Sequence, residues 1–142
     1  MQLGIAEPRI HTFDDSTATA EQAAAAIGTT VERIVKSLVF MAGDEPIIAL
    51  VSGTNRADTA KLQSLLGKQV KRANADQVKQ ATGFSIGGVP PVGHTNQLPI
   101  YVDADLLQHD EVWAAAGTPT SVFAISPQQL VTITAGRVAD IT

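Results

Sequence analysis

Two adjacent apolar runs in the middle of the chain restrict the fold more than any other feature. They cover Val35–Ala42 and Pro46–Ser52, and the Gly43–Glu45 segment between them is typical of a hairpin turn. In strand periodicity the even-numbered and the odd-numbered residues of the first run form two faces, and both faces are mostly apolar. We therefore predict that this strand is central in a sheet and largely buried.

Helix and strand signals alternate along the rest of the chain without a repeat or a linker. Residues that cap helix starts are Thr19, Asp58, Asn74 and Ser126, and glycines that end helices are Gly28, Gly67 and Gly83. Further short strands are predicted at Val70–Ala73, Pro99–Asp103, Val112–Ala115, Ser121–Ile125 and within Val131–Ile141. Several short helices among about six strands predict an α+β fold around a mixed sheet, in a single domain over residues 1–142.

The composition excludes several classes of protein. There are no cysteines among the 142 residues, which excludes a disulfide scaffold, a thiolate zinc site and a cysteine nucleophile. Uninterrupted apolar runs reach five residues, too short for a transmembrane helix. The N-terminal residues lack the basic and apolar regions of a signal peptide. We expect a soluble, cytoplasmic protein without a cofactor or a metal.

Basic residues concentrate in one part of the chain. The net charge is −4 overall, with −4 for residues 1–32, +4 for residues 33–79 and −4 for residues 80–142. The overall sign argues against a general nucleic-acid binder, but a local basic face can contact phosphates on an acidic molecule. The alternative interpretation of the middle segment is a solvated helix surface.

Lys36 is unusual because it lies near the start of the predicted central strand. A buried ammonium must find partners or lose its proton. One interpretation is a cation directed into a pocket, where it holds a phosphate or a carbonyl oxygen. The other is a lysine whose stem packs at the strand's start while its ammonium stays in water.

A glycine- and proline-rich loop covers Gly83–His94. Its glycines let a ligand approach the backbone, and its consecutive amides can form an anion site or an oxyanion hole. The same residues also mark ordinary turns, but the length of the loop favours a binding site. His94 is either a structural histidine or a general base.

A polar loop, Ser52–Asp58, directly follows the second apolar run. Ligand-binding groups often lie at strand ends, although a helix capped by Asp58 explains that residue without a ligand. Nucleotide-binding glycine motifs, the GxSxG elbow and the HExxH zinc motif are absent from the sequence. The sequence therefore offers no nucleophilic triad and no metal-ligand spacing.

Three segments together resemble the YbaK/prolyl-tRNA-synthetase-associated domain family. They are Ile34–Phe40, the loop Gly83–His94 and the tail Ala116–Ile141, and the resemblance covers about residues 17–141. It implies a compact α+β fold with a mixed, curved sheet. It also implies an aminoacyl-tRNA deacylase that hydrolyses the ester of mischarged tRNA. Because no synthetase sequence is present, the chain resembles a free-standing, trans-acting editor.

The resemblance assigns roles to Lys36 and to the glycine-rich loop. Lys36 matches the functional lysine of the family, which positions the 3′-terminal adenosine of the substrate or its phosphate. The loop matches the segment that shapes the aminoacyl pocket and supplies backbone amides. The predicted substrate-binding residues of this loop are Gly87, Gly88, Val89, Pro90 and His94.

The resemblance also marks two strand ends. Ser52, Gly53 and Asn55 fall where the family borders its pocket, and Asp103 matches a recurrent acidic strand end without an assigned role. All four are predicted substrate-binding residues. The family implies alanine or cysteine on tRNA for proline as candidate substrates, with serine and threonine tRNAs as further candidates.

Other functions remain open from the sequence. The chain is alternatively a non-catalytic module that binds tRNA or an aminoacyl-tRNA synthetase with the same fold. A third interpretation is a small-molecule binder or an esterase acting on free aminoacyl esters. The expected partners are mischarged aminoacyl-tRNA and a synthetase, with neither DNA nor a membrane among them.

Overall fold

The computed structural model describes residues 10–13, 19–85, 89–91, 94, 98–118 and 120–142. The helices are α1 (Ala20–Ile27), α2 (Thr59–Leu66), α3 (Ala75–Thr82) and α4 (Pro127–Thr134), with 3-10 turns at Val31–Arg33 and Ala104–Gln108. The strands are β1 (Ile10–Thr12), β2 (Val35–Ala42), β3 (Glu45–Ser52), β4 (Val70–Arg72), β5 (Ile100–Asp103), β6 (Val112–Ala115), β7 (Ser121–Ile125) and β8 (Arg137–Ala139). Within these residues, each helix is too short to cross a lipid bilayer.

The helices begin at the residues that the sequence predicts. The Thr19 hydroxyl accepts a hydrogen bond from the Gln22 amide at 3.1 Å, and the Gln22 side chain accepts one from the Thr19 amide at 3.2 Å. Asn74 and Gln77 form the same reciprocal pair at the start of α3, and the side chains of Asp58 and Ser126 accept hydrogen bonds from backbone amides of α2 and α4. These side chains satisfy amides that have no partner inside a helix, which fixes each helix start locally.

The strands form a mixed sheet and a smaller antiparallel sheet. In the larger sheet the order is β4-β2-β3-β5-β8, with β2 antiparallel to β3 and β4, and β5 parallel to β3 and β8. In the smaller sheet the order is β1-β7-β6. A parallel bridge between Ile34 and Trp113 joins the two sheets beside the start of β2. The predicted α+β fold with a mixed sheet is confirmed.

One strand is missing from the sequence-based description. We predicted no strand at Ile10–Thr12, yet β1 pairs with β7 and aligns Ile10 with Phe123. A three-residue strand has too few residues to show periodicity, and its hydrogen bonds come from a partner more than 100 residues away. Only the tertiary structure therefore defines this element.

Both faces of the larger sheet are covered, as the two apolar faces of β2 predict. Between the two sheets lies a core that includes Val39, Ile48, Phe123 and Leu130. The other face of the sheet packs against α2 in a second cluster, which consists of Phe40, Ala42, Ile47, Ala49, Val51, Leu62, Val70 and Ile141. The start of β2 lies at the edge of this core, where α1 and β6 leave a cavity.

Candidate active site

A cavity of about 320 Å³ opens between α1, the start of β2 and β6. We call it the Lys36 cavity. The start of α1 and its cap contribute Thr19, Ala20, Glu21 and Ala23, and the start of β2, with the residue before it, contributes Ile34, Val35, Lys36 and Ser37. Strand β6 contributes Trp113, Ala114 and Ala115. The remaining lining residues are Gly53, Val89 and Val122. Small apolar side chains dominate this wall, and Lys36 and Glu21 are the charged groups among its described residues.

Lys36 lies at the polar side of the cavity, and its ammonium donates a hydrogen bond to the carbonyl oxygen of Asn55. Burial lowers the pKa of Lys36 below its ordinary value. The carboxylate of Glu21 opposes this shift, and that of Asp103 does so more weakly. The site therefore holds a partly desolvated cation that is directed by a backbone carbonyl.

Asp103 organises the loop that provides this carbonyl. Its side chain is 2% exposed, and its Oδ2 accepts hydrogen bonds from the Ser52 amide at 3.1 Å and the Asn55 side-chain amide at 2.9 Å. Its Oδ1 accepts from the Asp105 amide at 3.0 Å, and Asp105 also accepts from Asn55 at 2.8 Å. A buried carboxylate thus joins the end of β5 to the end of β3, directly behind Lys36.

Ser52 and Gly53 connect the same loop to the 3-10 turn before β2. The Ser52 hydroxyl donates to the Glu32 carbonyl oxygen at 2.7 Å, so this hydroxyl is engaged within the fold. A Cβ at Gly53 would lie 2.2 Å from the Val31 carbonyl oxygen, a backbone atom that cannot move aside cheaply. This close approach requires glycine at position 53, and it brings the backbone of Gly53 to the cavity wall.

The described part of the glycine-rich loop borders the cavity at Val89, which is 4% exposed. His94 Nε2 lies 2.6 Å from the Pro90 carbonyl oxygen, and since a carbonyl only accepts, Nε2 carries the hydrogen. Burial lowers the pKa of His94, and the Pro90 carbonyl opposes that shift. The ring also meets Phe84 edge to face, with centroids 6.4 Å apart. This histidine therefore braces the loop.

The predicted site residues occupy three positions relative to the cavity. Lys36, Gly53 and Val89 line it. Ser52, Asn55 and Asp103 form the hydrogen-bonded layer behind Lys36, and Pro90 and His94 lie in the adjoining loop. The two glycines predicted to supply amides, Gly87 and Gly88, lie outside the described residues, and their role stays a prediction.

Among the described lining residues that the sequence did not assign to the site, three have side chains able to contact a ligand through charge, an aromatic ring or a free hydroxyl. Glu21 was predicted only as part of a helix start and Trp113 only as part of a strand, because α1 and β6 meet Lys36 through tertiary packing. A signal existed for Trp113, since it is the one tryptophan of the chain. The third is Ser37, whose buried hydroxyl has no hydrogen-bond partner within the described part of the chain. A donor without a partner at a cavity is available to a ligand.

Comparisons with known proteins identify the family. The aminoacyl-tRNA editing domain matches residues 14–133. "Uncharacterized protein YwhH" of Bacillus subtilis is 34% identical over 83% of this chain and 76% of its own length. "Putative Cys-tRNA(Pro)/Cys-tRNA(Cys) deacylase EbsC" of Enterococcus faecalis is 29% identical over 87% of this chain and 77% of its own.

A solved structure agrees with this result. It is titled "Crystal structure of a putative trans-editing enzyme for prolyl tRNA synthetase" and is 45% identical, with a TM-score of 0.93 over 99% of this chain and 89% of its own. The resemblance inferred from the motifs around Lys36 and the glycine-rich loop is confirmed. The chain belongs to the aminoacyl-tRNA editing domain family.

Proposed function

We propose that this protein is a trans-acting deacylase that hydrolyses the ester of mischarged tRNA, with alanine or cysteine on tRNA for proline as its substrate. One observation carries the proposal: a directed lysine ammonium lies on the wall of a small, alanine-rich cavity in a chain of the editing family. The relative from Enterococcus faecalis is named "Putative Cys-tRNA(Pro)/Cys-tRNA(Cys) deacylase EbsC", which supports this substrate class.

The size and lining of the Lys36 cavity suit a small aminoacyl group. Its volume of about 320 Å³ lies at the lower end of the range for ligand pockets. Ala20, Ala23 and Ala114 leave room for a short side chain, and Trp113 limits its length. Glu21 provides a carboxylate that attracts the α-ammonium of the bound amino acid.

The proposed reaction needs a positioned water and no protein nucleophile. The oxygen of water attacks the ester carbonyl carbon, the bond from that carbon to the ribose oxygen breaks, and the proton of the water passes to the ribose oxygen. The products are the free amino acid and tRNA with a free 3′-terminal ribose. The 2′-hydroxyl of the substrate, or its α-amine in the unprotonated form, assists the water, while backbone amides of the glycine-rich loop stabilise the oxyanion.

In this mechanism Lys36 binds the 3′-terminal adenosine or its phosphate and so aligns the ester with the water. The ammonium is held by the Asn55 carbonyl, and Asn55 is held by Asp103. Asp103 is therefore proposed as a positioning residue that acts through Asn55. Ser52 and Gly53 hold the same loop against the 3-10 turn before β2, next to the cavity wall.

A deacylation assay tests the proposal. We would charge tRNA for proline with alanine, cysteine, serine or proline and compare the wild type with Lys36→Ala and Lys36→Met. We expect rapid loss of alanine or cysteine, and a decrease of at least about 100-fold in both variants, as when a single positioning or transition-state contact is removed.

The matched control is Lys68→Ala. Lys68 is exposed, pairs with Glu45 at 3.3 Å and lies at the far end of the hairpin from Lys36, so its removal should leave deacylation unchanged. Full activity in both Lys36 variants would contradict the role of Lys36. No hydrolysis of any charged tRNA, together with salt-sensitive tRNA binding, would instead favour the non-catalytic module.

A further inference from the structure

A second cavity, of about 400 Å³, lies on the other face of β2. Lys36, Leu38 and Phe40 project to this face, opposite the face of Val35 and Ser37. We call it the basic groove and define it by Lys36, Leu38, Phe40, Arg56 and Arg72. Lys36 lines both the groove and the Lys36 cavity, so the two sites meet at this residue.

The groove brings three cations together, Lys36, Arg56 and Arg72. Among the described residues, neither Arg56 nor Arg72 has a carboxylate within 4.0 Å, whereas Lys61 pairs with Asp140 at 2.9 Å. The carboxylate of Asp58, two residues after Arg56, accepts hydrogen bonds from backbone amides at the start of α2. The positive charges of both arginines lower the pKa of Lys36, so each of them opposes the ammonium form of that lysine. Such a cluster is stabilised by an anion.

The arrangement of Arg72 favours a nucleic acid over a simple anion. Its guanidinium carbon lies 5.6 Å from the centroid of the Phe40 ring, so the ring supports one side of the planar group. The guanidinium can pair with a phosphate through its edge and stack on a base through its free face. Leu38 and the buried Phe40 ring form an apolar floor beneath these cations.

We propose that the basic groove binds the phosphodiester backbone of the single-stranded 3′ end of the RNA, immediately before the nucleotide whose ester occupies the Lys36 cavity. This inference rests on the proposed function and extends it to Arg56 and Arg72. The continuity of the two sites at Lys36 sets the direction: the amino acid enters one face of β2, and the strand leaves along the other.

The test compares two substrates that carry the same aminoacyl-adenosine end, of which only one has the preceding nucleotides and their phosphates. One is a minihelix RNA with a single-stranded 3′ end, and the other is adenosine carrying the same aminoacyl ester. The variants are Arg56→Met, Arg72→Met and the double substitution, because methionine keeps an apolar stem over Phe40. Lys71→Met is the matched control, since Lys71 neighbours Arg72 on β4 and projects to the opposite face.

We expect each arginine variant to lose about tenfold in kcat/KM on the minihelix, as for one hydrogen bond to a charged group. Hydrolysis of aminoacyl-adenosine should be unchanged at a pH on the plateau of the wild-type profile. In binding titrations of uncharged minihelix, the slope of log affinity against log salt should flatten by about 0.7 for each phosphate contact removed.

Several results would overturn the inference. They are an unchanged kcat/KM on the minihelix, an equal loss on both substrates, and an equal loss in Lys71→Met. Equal binding of anionic lipid vesicles or of an acidic peptide, with the same dependence on the arginines, would also overturn the RNA assignment. If the wild type hydrolyses neither substrate, the proposed function fails. The titration of uncharged minihelix against salt then tests by itself whether the basic groove binds RNA.

Discussion

At Lys36 two opposing electrostatic effects set the population of the ammonium form. Burial lowers the pKa of this lysine, and Arg72 on β4 and Arg56 in the loop lower it further. Glu21 on α1 and Asp103 at the end of β5 raise it. A lysine on a central strand is tolerated because its stem packs while its ammonium reaches the Asn55 carbonyl.

These shifts predict the pH dependence of deacylation. Because the proposed mechanism uses the ammonium form, activity should be present below the pKa of Lys36 and be lost as the pH rises through it. The alkaline limb should therefore lie below the ordinary pKa of lysine, and Arg72→Met should move it to higher pH by removing a repelling charge. The measurement is kcat/KM against pH, corrected for spontaneous ester hydrolysis. If the alkaline limb does not move in Arg72→Met, the group that titrates in this limb is not Lys36.

Strand β5 contributes to the site through one residue at its end. Asp103 Oδ2 accepts hydrogen bonds from both Ser52 and Asn55, so it joins β5 to the loop after β3. Asparagine has one acceptor oxygen and one NH2 donor in place of the two carboxylate oxygens, so a buried donor then lacks an acceptor. The parallel pairing of β3 with β5 thus places Asp103 beside Asn55, and the backbone carbonyl of Asn55 orients the Lys36 ammonium.

We predict that Asp103→Asn lowers the free energy of unfolding by about 1 to 3 kcal/mol, as expected for a buried polar group without a partner. It should also decrease kcat and move the alkaline limb to lower pH, since Asp103 raises the pKa of Lys36. A purely structural residue would leave the limb in place, so that result would contradict the positioning role. The control is Asp140→Asn, at an exposed pair with Lys61 that takes no part in the hydrogen bonds of Asp103.

At the scale of the whole molecule, the two sheets share the core that lies between them. Val39 and Ile48 from the larger sheet pack in the same cluster as Ala114 and Phe123 from the smaller one. The bridge between Ile34 and Trp113 adds a direct backbone link. Because neither sheet can lose its partner without exposing this cluster, the sheets depend on each other for stability.

We therefore predict a single cooperative unfolding transition. Trp113 is the one tryptophan and reports on the smaller sheet, whereas far-UV circular dichroism reports on all elements. The two signals should coincide in urea, and the calorimetric and van't Hoff enthalpies should agree. A fluorescence transition at lower urea than the dichroism transition would show that the smaller sheet unfolds separately.

The sequence by itself determined the helix starts at Thr19, Asp58, Asn74 and Ser126 and the hairpin of β2 and β3, and its motifs identified the family. Caps, turns and periodicity act over a few residues, so they can be read locally. Only the tertiary structure decided that α1 and β6 enclose Lys36. Likewise, only the pairing of β4 with β2 brings Arg72 to Phe40. These contacts join residues distant along the chain, and they form because burial of the shared core outweighs the entropy of closing long loops.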